Sequence, residues 1–126
     1  MIGLPEARVD PPLVAFVCGV PLLCEAVAAA LENVADVRQF PAGRGDTLGL
    51  LRWLQPDAVV VDTEGDVEDA ASFASEASAP LVYVLPRERR LRILRDGNWE
   101  EAEGGGASVE AIRNAVVGGL FRRRSQ

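Results

Sequence analysis

The chain of 126 residues contains no lysine and no histidine, so all 13 of its basic residues are arginine. Without histidine, a histidine general base is excluded, and without lysine so is any site that depends on an ε-ammonium group. Aromatic residues make up only 6% of the chain. No apolar run approaches the roughly 18 residues that a membrane-spanning helix needs. These absences exclude many classes of enzyme and give no sign of a membrane span.

Cysteine is also scarce. Cys18 closes a predicted buried strand and Cys24 lies in the helix that follows, and the chain has no others. We expect both to be reduced, packed thiols, as is typical of a cytoplasmic protein. Residues 1–12 lack the basic start and the apolar core of a secretion signal, which agrees with that location. The net charge of −6 argues against a general polyanion binder, so no direct binding to nucleic acid is expected.

Three unbroken apolar runs predict buried strands. They cover residues 13–18, 58–61 and 81–85 and are apolar at almost every position, rather than at alternate positions. This pattern is typical of central strands in a parallel sheet that is covered on both faces. A shorter strand is predicted at residues 37–40. The run at 58–61 leads into Asp62, a carboxylate placed where parallel sheets keep their chemistry, outside the carboxyl ends of the strands.

Helices are predicted between these strands. Residues at helical spacing indicate four helices, which begin near Pro21, Asp46, Asp66 and Ser108. Strands that alternate with helices across short loops imply an α/β fold with helices on both faces of the sheet. We expect one domain at residues 13–121, a flexible lead-in at residues 1–12 and a basic tail at residues 122–126.

The segment 87–106 is ambiguous. Arg90–Arg95 alternates between charged and apolar residues as a strand does, whereas Asp96 and Gly97 are also suited to end a short helix. We favour the helix, followed by a polar edge strand that begins at Trp99. The fold is therefore expected to be irregular around its fourth helix and fifth strand.

Three segments carry a resemblance to a known family. They are Val17–Glu25 continued by Ala28–Glu32, then Leu50–Asp62, and finally Ala107–Gly119. In order and spacing they resemble the receiver domain of bacterial two-component response regulators, and most closely the subgroup that usually precedes a nitrate-response-type helix-turn-helix. The resemblance spans most of residues 13–120. It implies a flavodoxin-like, doubly wound sheet of five parallel strands in the order 2-1-3-4-5.

In the receiver family an aspartate at the end of the third strand is phosphorylated, and Asp62 occupies that place. The family also uses an acid pair that holds Mg²⁺, a hydroxyl residue and a lysine. Here those positions hold Cys18 and Gly19, Pro86, and about Gly105. A phosphoryl group on Asp62 would lack both the metal and the cation that offset its charge. The chain therefore resembles a degenerate receiver with a vestigial Asp62, and we expect it to bind no metal and no cofactor.

The sequence around three closely spaced acidic residues does not fit an EF-hand calcium site. Asp62, Glu64 and Asp66 are spaced two apart, but a calcium loop of the EF-hand type would need glycine at Val67 and glutamate at Phe73. Asp66 is instead expected to cap a helix.

Cys18, at a strand end before a helix, is placed like the nucleophile of small phosphatases. Such sites need a loop of backbone donors and an arginine that receives the phosphate. Residues 20–23 provide neither, so we do not expect an enzyme.

The arginines are concentrated between Arg87 and Arg95, close to Trp99. They form either a solvated face that pairs with nearby acids or a contact surface, since arginine and aromatic residues are enriched in interfaces. In receivers the corresponding face is the usual dimer and output surface. The resemblance thus implies a homodimer or another protein partner, bound through residues among Arg90, Leu91, Arg92, Arg95, Trp99, Ile112 and Arg113.

Our leading hypothesis is a stand-alone pseudo-receiver that acts as a phosphorylation-independent protein-interaction module in signal transduction or transcriptional regulation. One alternative keeps Asp62 as the phosphoacceptor of an unusual kinase. Another is a small-molecule sensor, with its ligand at the carboxyl ends of the strands near Cys18, Gly19 and Pro86.

Overall fold

A computed structural model describes residues 11–102 and 107–124. The elements in chain order are β1 (Leu13–Cys18), α1 (Pro21–Ala30), β2 (Asp36–Pro41), α2 (Thr47–Leu54), β3 (Ala58–Val61), a short 3-10 helix (Glu64–Asp66), α3 (Val67–Ala77), β4 (Leu81–Leu85), β5 (Arg90–Arg95), β6 (Asn98–Glu101) and α4 (Val109–Arg124). Helix α4 therefore continues into the predicted basic tail. Most of the predicted lead-in, and Gly105, lie outside the described residues.

The strands form one mixed sheet of six strands in the order β2-β1-β3-β4-β5-β6. β1 is parallel to β2 and β3, and β3 is parallel to β4. β5 is antiparallel to β4, and β6 is antiparallel to β5. The α/β class is thus confirmed, but the sheet differs from the expected one because parallel pairing ends at β4.

The reversal occurs because the segment after β4 forms hairpins. A parallel fifth strand would require a crossover of a dozen residues or so, usually a helix. Here a short turn leads directly from Leu85 to Arg90, which face each other across β4 and β5. Asp96 and Gly97 then both have positive φ values, 52° and 81°, as in the two-residue turns that join hairpin strands. The predicted helix in this segment is wrong, and the strand alternative for residues 90–95 is confirmed.

Helices cover both faces of the sheet. Helices α1 and α4 contact each other over a core that contains Phe16 and Val60. Helices α2 and α3 contact each other over a second core, on the opposite face, that contains Val17 and Val61. Because neighbouring residues of β1 and β3 enter different cores, every position of their centres is buried. This accounts for the unbroken apolar runs in the sequence.

The helix ends follow the predicted signals in part. Pro21 is the first residue of α1, and the Ser108 hydroxyl accepts a hydrogen bond from the Ala111 N–H at 3.0 Å. Asp46 and Asp66 directly precede α2 and α3, but neither side chain makes a capping hydrogen bond. Within the part of the chain that the structure describes, no helix is long and apolar enough to cross a membrane.

Candidate functional site

Asp62 lies at the carboxyl edge of the sheet, directly after β3, and is only 6% exposed. The Gly19 N–H donates to its Oδ1 at 2.6 Å, and the Val20 N–H donates to its Oδ2 at 3.0 Å. Both carboxylate oxygens therefore hold the loop that joins β1 to α1. Asp62 acts here as an anchor for this loop.

Gly19 makes this close approach possible. A Cβ at this position would overlap the Thr63 Cγ2 atom and lie 3.1 Å from the Asp62 Oδ1. The receiver pattern requires an acidic side chain here as part of its metal-binding pair. Such a side chain has no room unless Thr63 moves. The backbone of Gly19 thus lies too close to Thr63 and Asp62 for a side chain at this position.

The electrostatic setting of Asp62 disfavours added negative charge. Burial raises the pKa of Asp62 above its ordinary value, the Gly19 and Val20 N–H groups oppose this rise, and the nearby Asp66 carboxylate adds to it. Among the ion pairs of the described residues, none joins an arginine to Asp62. A phosphoryl group on Asp62 would add negative charge at a buried position close to the Asp66 carboxylate. None of the ion pairs just described would offset that charge.

Asp66 forms a second buried anchor and is 4% exposed. Its Oδ1 accepts from the Thr47 hydroxyl at 2.7 Å, and its Oδ2 accepts from the Thr63 hydroxyl at 2.8 Å and from the Gly43 N–H at 3.1 Å. Burial acts to raise the pKa of Asp66, but these three hydrogen bonds outweigh it, and the pKa lies below its ordinary value. Asp66 thus ties the β2–α2 loop and the start of α2 to the end of β3.

Cys18 and Cys24 are joined by a disulfide, with their Cα atoms 6.0 Å apart. The expectation of two reduced thiols is therefore wrong in this structure. Helix α1 begins three residues after Cys18, and this places Cys24, its fourth residue, within bonding reach of Cys18. Of the remaining residues in the predicted pocket, Pro86 is exposed in the turn after β4, and Gly105 lies outside the described ranges.

The predicted interface residues divide into two groups. Leu91 and Ile112 are buried in the core beneath α1 and α4, and so belong to no surface. The Arg113 side chain is also used internally, since its Nε donates to the Ala30 carbonyl at 3.1 Å and ties α4 to α1. The remaining residues, Arg90, Arg92, Arg95 and Trp99, lie on the hairpin of β5 and β6.

Three side chains on this hairpin and the adjoining strand form what we call the hairpin surface: Tyr83, Arg92 and Trp99. The Arg92 guanidinium lies 4.9 Å from the centroid of the Trp99 ring. The rings of Tyr83 and Trp99 meet edge to face, with centroids 6.3 Å apart. All three side chains are partly exposed.

The other arginines of the hairpin pair with local acids. Arg90 pairs with Glu101 and also with Glu88, the latter at 3.3 Å. Arg95 lies 3.4 Å from Glu100. The Arg90 pairs are exposed and correspond to the solvated alternative predicted for the arginine cluster, and exposed pairs of this kind add little to stability. The Arg95 side chain is only 18% exposed, and its Nε is buried without a hydrogen-bond partner among the described residues. Within the arginine cluster, Arg92 differs because its guanidinium lies over the Trp99 ring, and it belongs to the hairpin surface.

A groove of about 340 Å³ lies elsewhere, at the carboxyl ends of β1 and β2 beside α2. Its walls include Phe40, Leu50 and Trp53, and Arg44 and Asp46 also line it. Trp53 is 78% exposed. The groove combines apolar walls with one charge of each sign, and no sequence pattern indicated it, because its parts come from separate strands and a helix.

No protein-family model matches the chain, and no curated protein matches it at a significant level. Among the described residues, no group of three or more Cys, Asp or Glu side chains is arranged to hold a metal ion. The likeness to receivers therefore rests on the three sequence segments named above.

Proposed function

We propose that the protein is a cytoplasmic pseudo-receiver that acts as a phosphorylation-independent protein-interaction module in signal transduction or transcriptional regulation, without enzymatic activity. The observation that carries this proposal is the pair of hydrogen bonds from Gly19 and Val20 to Asp62. Further support comes from the parallel strands in the order β2-β1-β3-β4, with helices on both faces, which agree with a flavodoxin-like receiver.

Phosphorylation of Asp62 would disrupt its present contacts. An acyl phosphate converts one carboxylate oxygen into a bridging atom, so the hydrogen bond from Gly19 or Val20 to that oxygen would be weakened or lost. The acyl phosphate would carry close to two negative charges beside Asp66, where the carboxylate carries at most one. The chain has no lysine that would offset them. Each of these points favours a module that signals without phosphorylation of Asp62.

The hairpin surface is the contact site that we propose for a partner. Arginine and tryptophan are enriched among the residues that dominate binding energy in interfaces. Trp99 lies on β6, which is at the end of the sheet, so its strand has an open edge among the described elements. A second copy of the chain is the partner we favour, because the resemblance to receivers implies a homodimer.

The test is the mass of the protein in solution, measured by light scattering with and without beryllofluoride and Mg²⁺. We expect a dimer whose mass the phosphoryl mimic does not change. Trp99→Ser should shift the dimer towards monomer, whereas Trp53→Ser, which alters an exposed tryptophan on α2, should leave it intact. A monomer that dimerises only with the mimic, and no longer does so as Asp62→Asn, would establish Asp62 as a working phosphoacceptor.

The groove beside α2 favours a second candidate function, that of a small-molecule sensor. Its volume of about 340 Å³ lies within the range of ligand sites. Arg44 and the wall of Phe40, Leu50 and Trp53 suit a ligand that has an aromatic ring and a carboxylate. Indole-3-acetate is a suitable probe. A rise in melting temperature that Arg44→Ala abolishes would support the sensor, and an unchanged melting temperature would exclude indole-3-acetate as its ligand.

A further inference from the structure

The disulfide lies beside the site where a receiver would hold its metal. It joins Cys18, the last residue of β1, to Cys24 in α1, and encloses the loop that donates two N–H groups to Asp62. This loop is therefore held in two ways, by a covalent bond between its flanking residues and by hydrogen bonds to a buried carboxylate. Removing one restraint leaves the other in place, so the loop can change its mobility while the fold persists.

The two cysteine residues differ in exposure. Cys24 is fully buried, with no exposed surface, whereas Cys18 is partly exposed and is followed by a run of residues, 19–22, that are mostly exposed. Thiol–disulfide exchange begins with a thiolate that must reach one sulfur atom. Of the two residues, Cys18 is the one with exposed surface, and we take it as the point of attack. Cys24 is then placed as the leaving thiolate, and later as the thiol that closes the disulfide again.

We propose that Cys18 and Cys24 form a redox-active pair that exchanges with a dithiol, and that the state of the pair sets the mobility of the Gly19–Val20 loop and of the first turn of α1. The inference uses the proposed cytoplasmic location, where disulfides are mostly transient and either catalytic or redox-sensing. It does not depend on the hairpin surface or on the oligomeric state.

In the proposed exchange, the dithiol is the reductant and supplies both electrons. One of its thiolates attacks the Cys18 Sγ, the bond between the two cysteine sulfurs breaks, and the Cys24 sulfur leaves with the electron pair and takes up a proton. The second thiol of the reductant then attacks the mixed disulfide and releases the Cys18 thiolate. The dithiol is oxidised to a disulfide, and two electrons pass to the protein.

The test begins with the unaltered full chain, equilibrated in native buffer over a range of ratios of reduced to oxidised dithiothreitol. We expect the pair to pass from no free thiol to two in one transition while the protein stays folded. Amide exchange should then become faster at Gly19, Val20 and Cys24, whose N–H groups donate to Asp62 and to the Val20 carbonyl, and should stay the same at Gly43, a loop residue held by Asp66. A pair that is reduced only after unfolding in guanidinium, a chain that shows two free thiols under oxidising conditions, or unchanged loop exchange would overturn the proposal.

Single variants test which sulfur exchanges. Cys24→Ser leaves the partly exposed Cys18, which should form a mixed disulfide with oxidised glutathione in the folded protein. Cys18→Ser leaves the buried Cys24, which should react at least about tenfold more slowly because its sulfur is reached only when the structure opens. Equal rates in two folded variants would contradict the assignment of Cys18. The titration of the unaltered chain remains decisive if one variant does not fold.

Discussion

At the scale of single residues, Asp62 and Asp66 are two buried carboxylates at one edge of the sheet whose oxygens bind donors of the same chain. The position of Asp62 at the end of β3 could be predicted from the apolar run that precedes it, and that of Asp66 before α3 from the helical spacing that follows it. Their partners could not, because the bond between Thr47 and Asp66 spans 19 residues and that between Gly19 and Asp62 spans 43. Such contacts depend on how the loops fold together, which no local pattern encodes.

The close approach at Gly19 leads to the first prediction. Gly19→Ala should lower the free energy of unfolding by about 1–3 kcal/mol, because the new Cβ overlaps the Thr63 Cγ2. Urea denaturation measures this change. Thr63→Ser removes the Cγ2 but keeps the hydroxyl that donates to Asp66, so the double variant should recover most of the loss. Losses that simply add in the double variant would show that the overlap with Thr63 is not the cause.

The lowered pKa of Asp66 leads to a prediction about acid stability. Because its folded pKa lies below its unfolded value of about 3.9, ionised Asp66 stabilises the fold above that pH. This stabilisation is lost as the pH falls through the folded pKa. Asp66→Asn should therefore be less stable than the unaltered protein at neutral pH, and the difference should shrink in acid. Urea denaturation from neutral pH down to below the unfolded pKa of about 3.9 measures it.

Asp62→Asn serves as a control, because the contribution of Asp62 to stability should depend on pH in the opposite direction. Its folded pKa is raised, so protonation favours the folded state, and this contribution is lost as the pH rises through the folded pKa. The stability of the unaltered protein relative to Asp62→Asn should accordingly increase as the pH falls. Parallel trends in the two variants would mean that one of the two carboxylates does not have the environment described above.

At the scale of elements, the sequence predicted the central strands well and the end of the sheet poorly. β1, β3 and β4 are apolar at nearly every position because both of their faces are covered, whereas a strand with one solvated face would alternate. Beyond β4 the sequence did contain a usable signal. An Asp-Gly pair flanked by alternating residues is a strong indication of a hairpin, and Asp96 and Gly97 adopt the positive φ values of such a turn.

Packing of α4 against the sheet gives an element-scale prediction with a matched control. A Cβ at Gly119 would lie 2.9 Å from the Cβ and Cγ atoms of Pro80, whereas a Cβ at Gly118 would meet open space. Gly119→Ala should therefore lower the free energy of unfolding by about 1–3 kcal/mol. Gly118→Ala should raise it by about 0.5–1 kcal/mol, because alanine favours a helix. Urea denaturation separates the two outcomes, and equal shifts would contradict the close approach of α4 to Pro80.

At the scale of the whole molecule, the fold joins a parallel half to an antiparallel end. The parallel half, β2-β1-β3-β4, carries the Asp62 anchor and the disulfide at its carboxyl edge, while the antiparallel end carries the hairpin surface. The three sequence segments that resemble receivers lie in the parallel half and in α4. The hairpin region lies outside them, and there the structure departs from the five parallel strands that the resemblance implies.

The disulfide gives a prediction for the stability of the entire chain. It closes a short loop, with a sequence separation of six residues, and so restricts the unfolded chain. On the chain-entropy account, reduction should lower the free energy of unfolding by about 2 kcal/mol. Urea denaturation with and without dithiothreitol measures this, and the Cys18→Ser, Cys24→Ser double variant should give the lower value under both conditions. If dithiothreitol lowers the stability of the double variant as much as that of the unaltered chain, the effect does not come from this disulfide. If neither protein responds, the bridge between β1 and α1 does not restrain the unfolded chain.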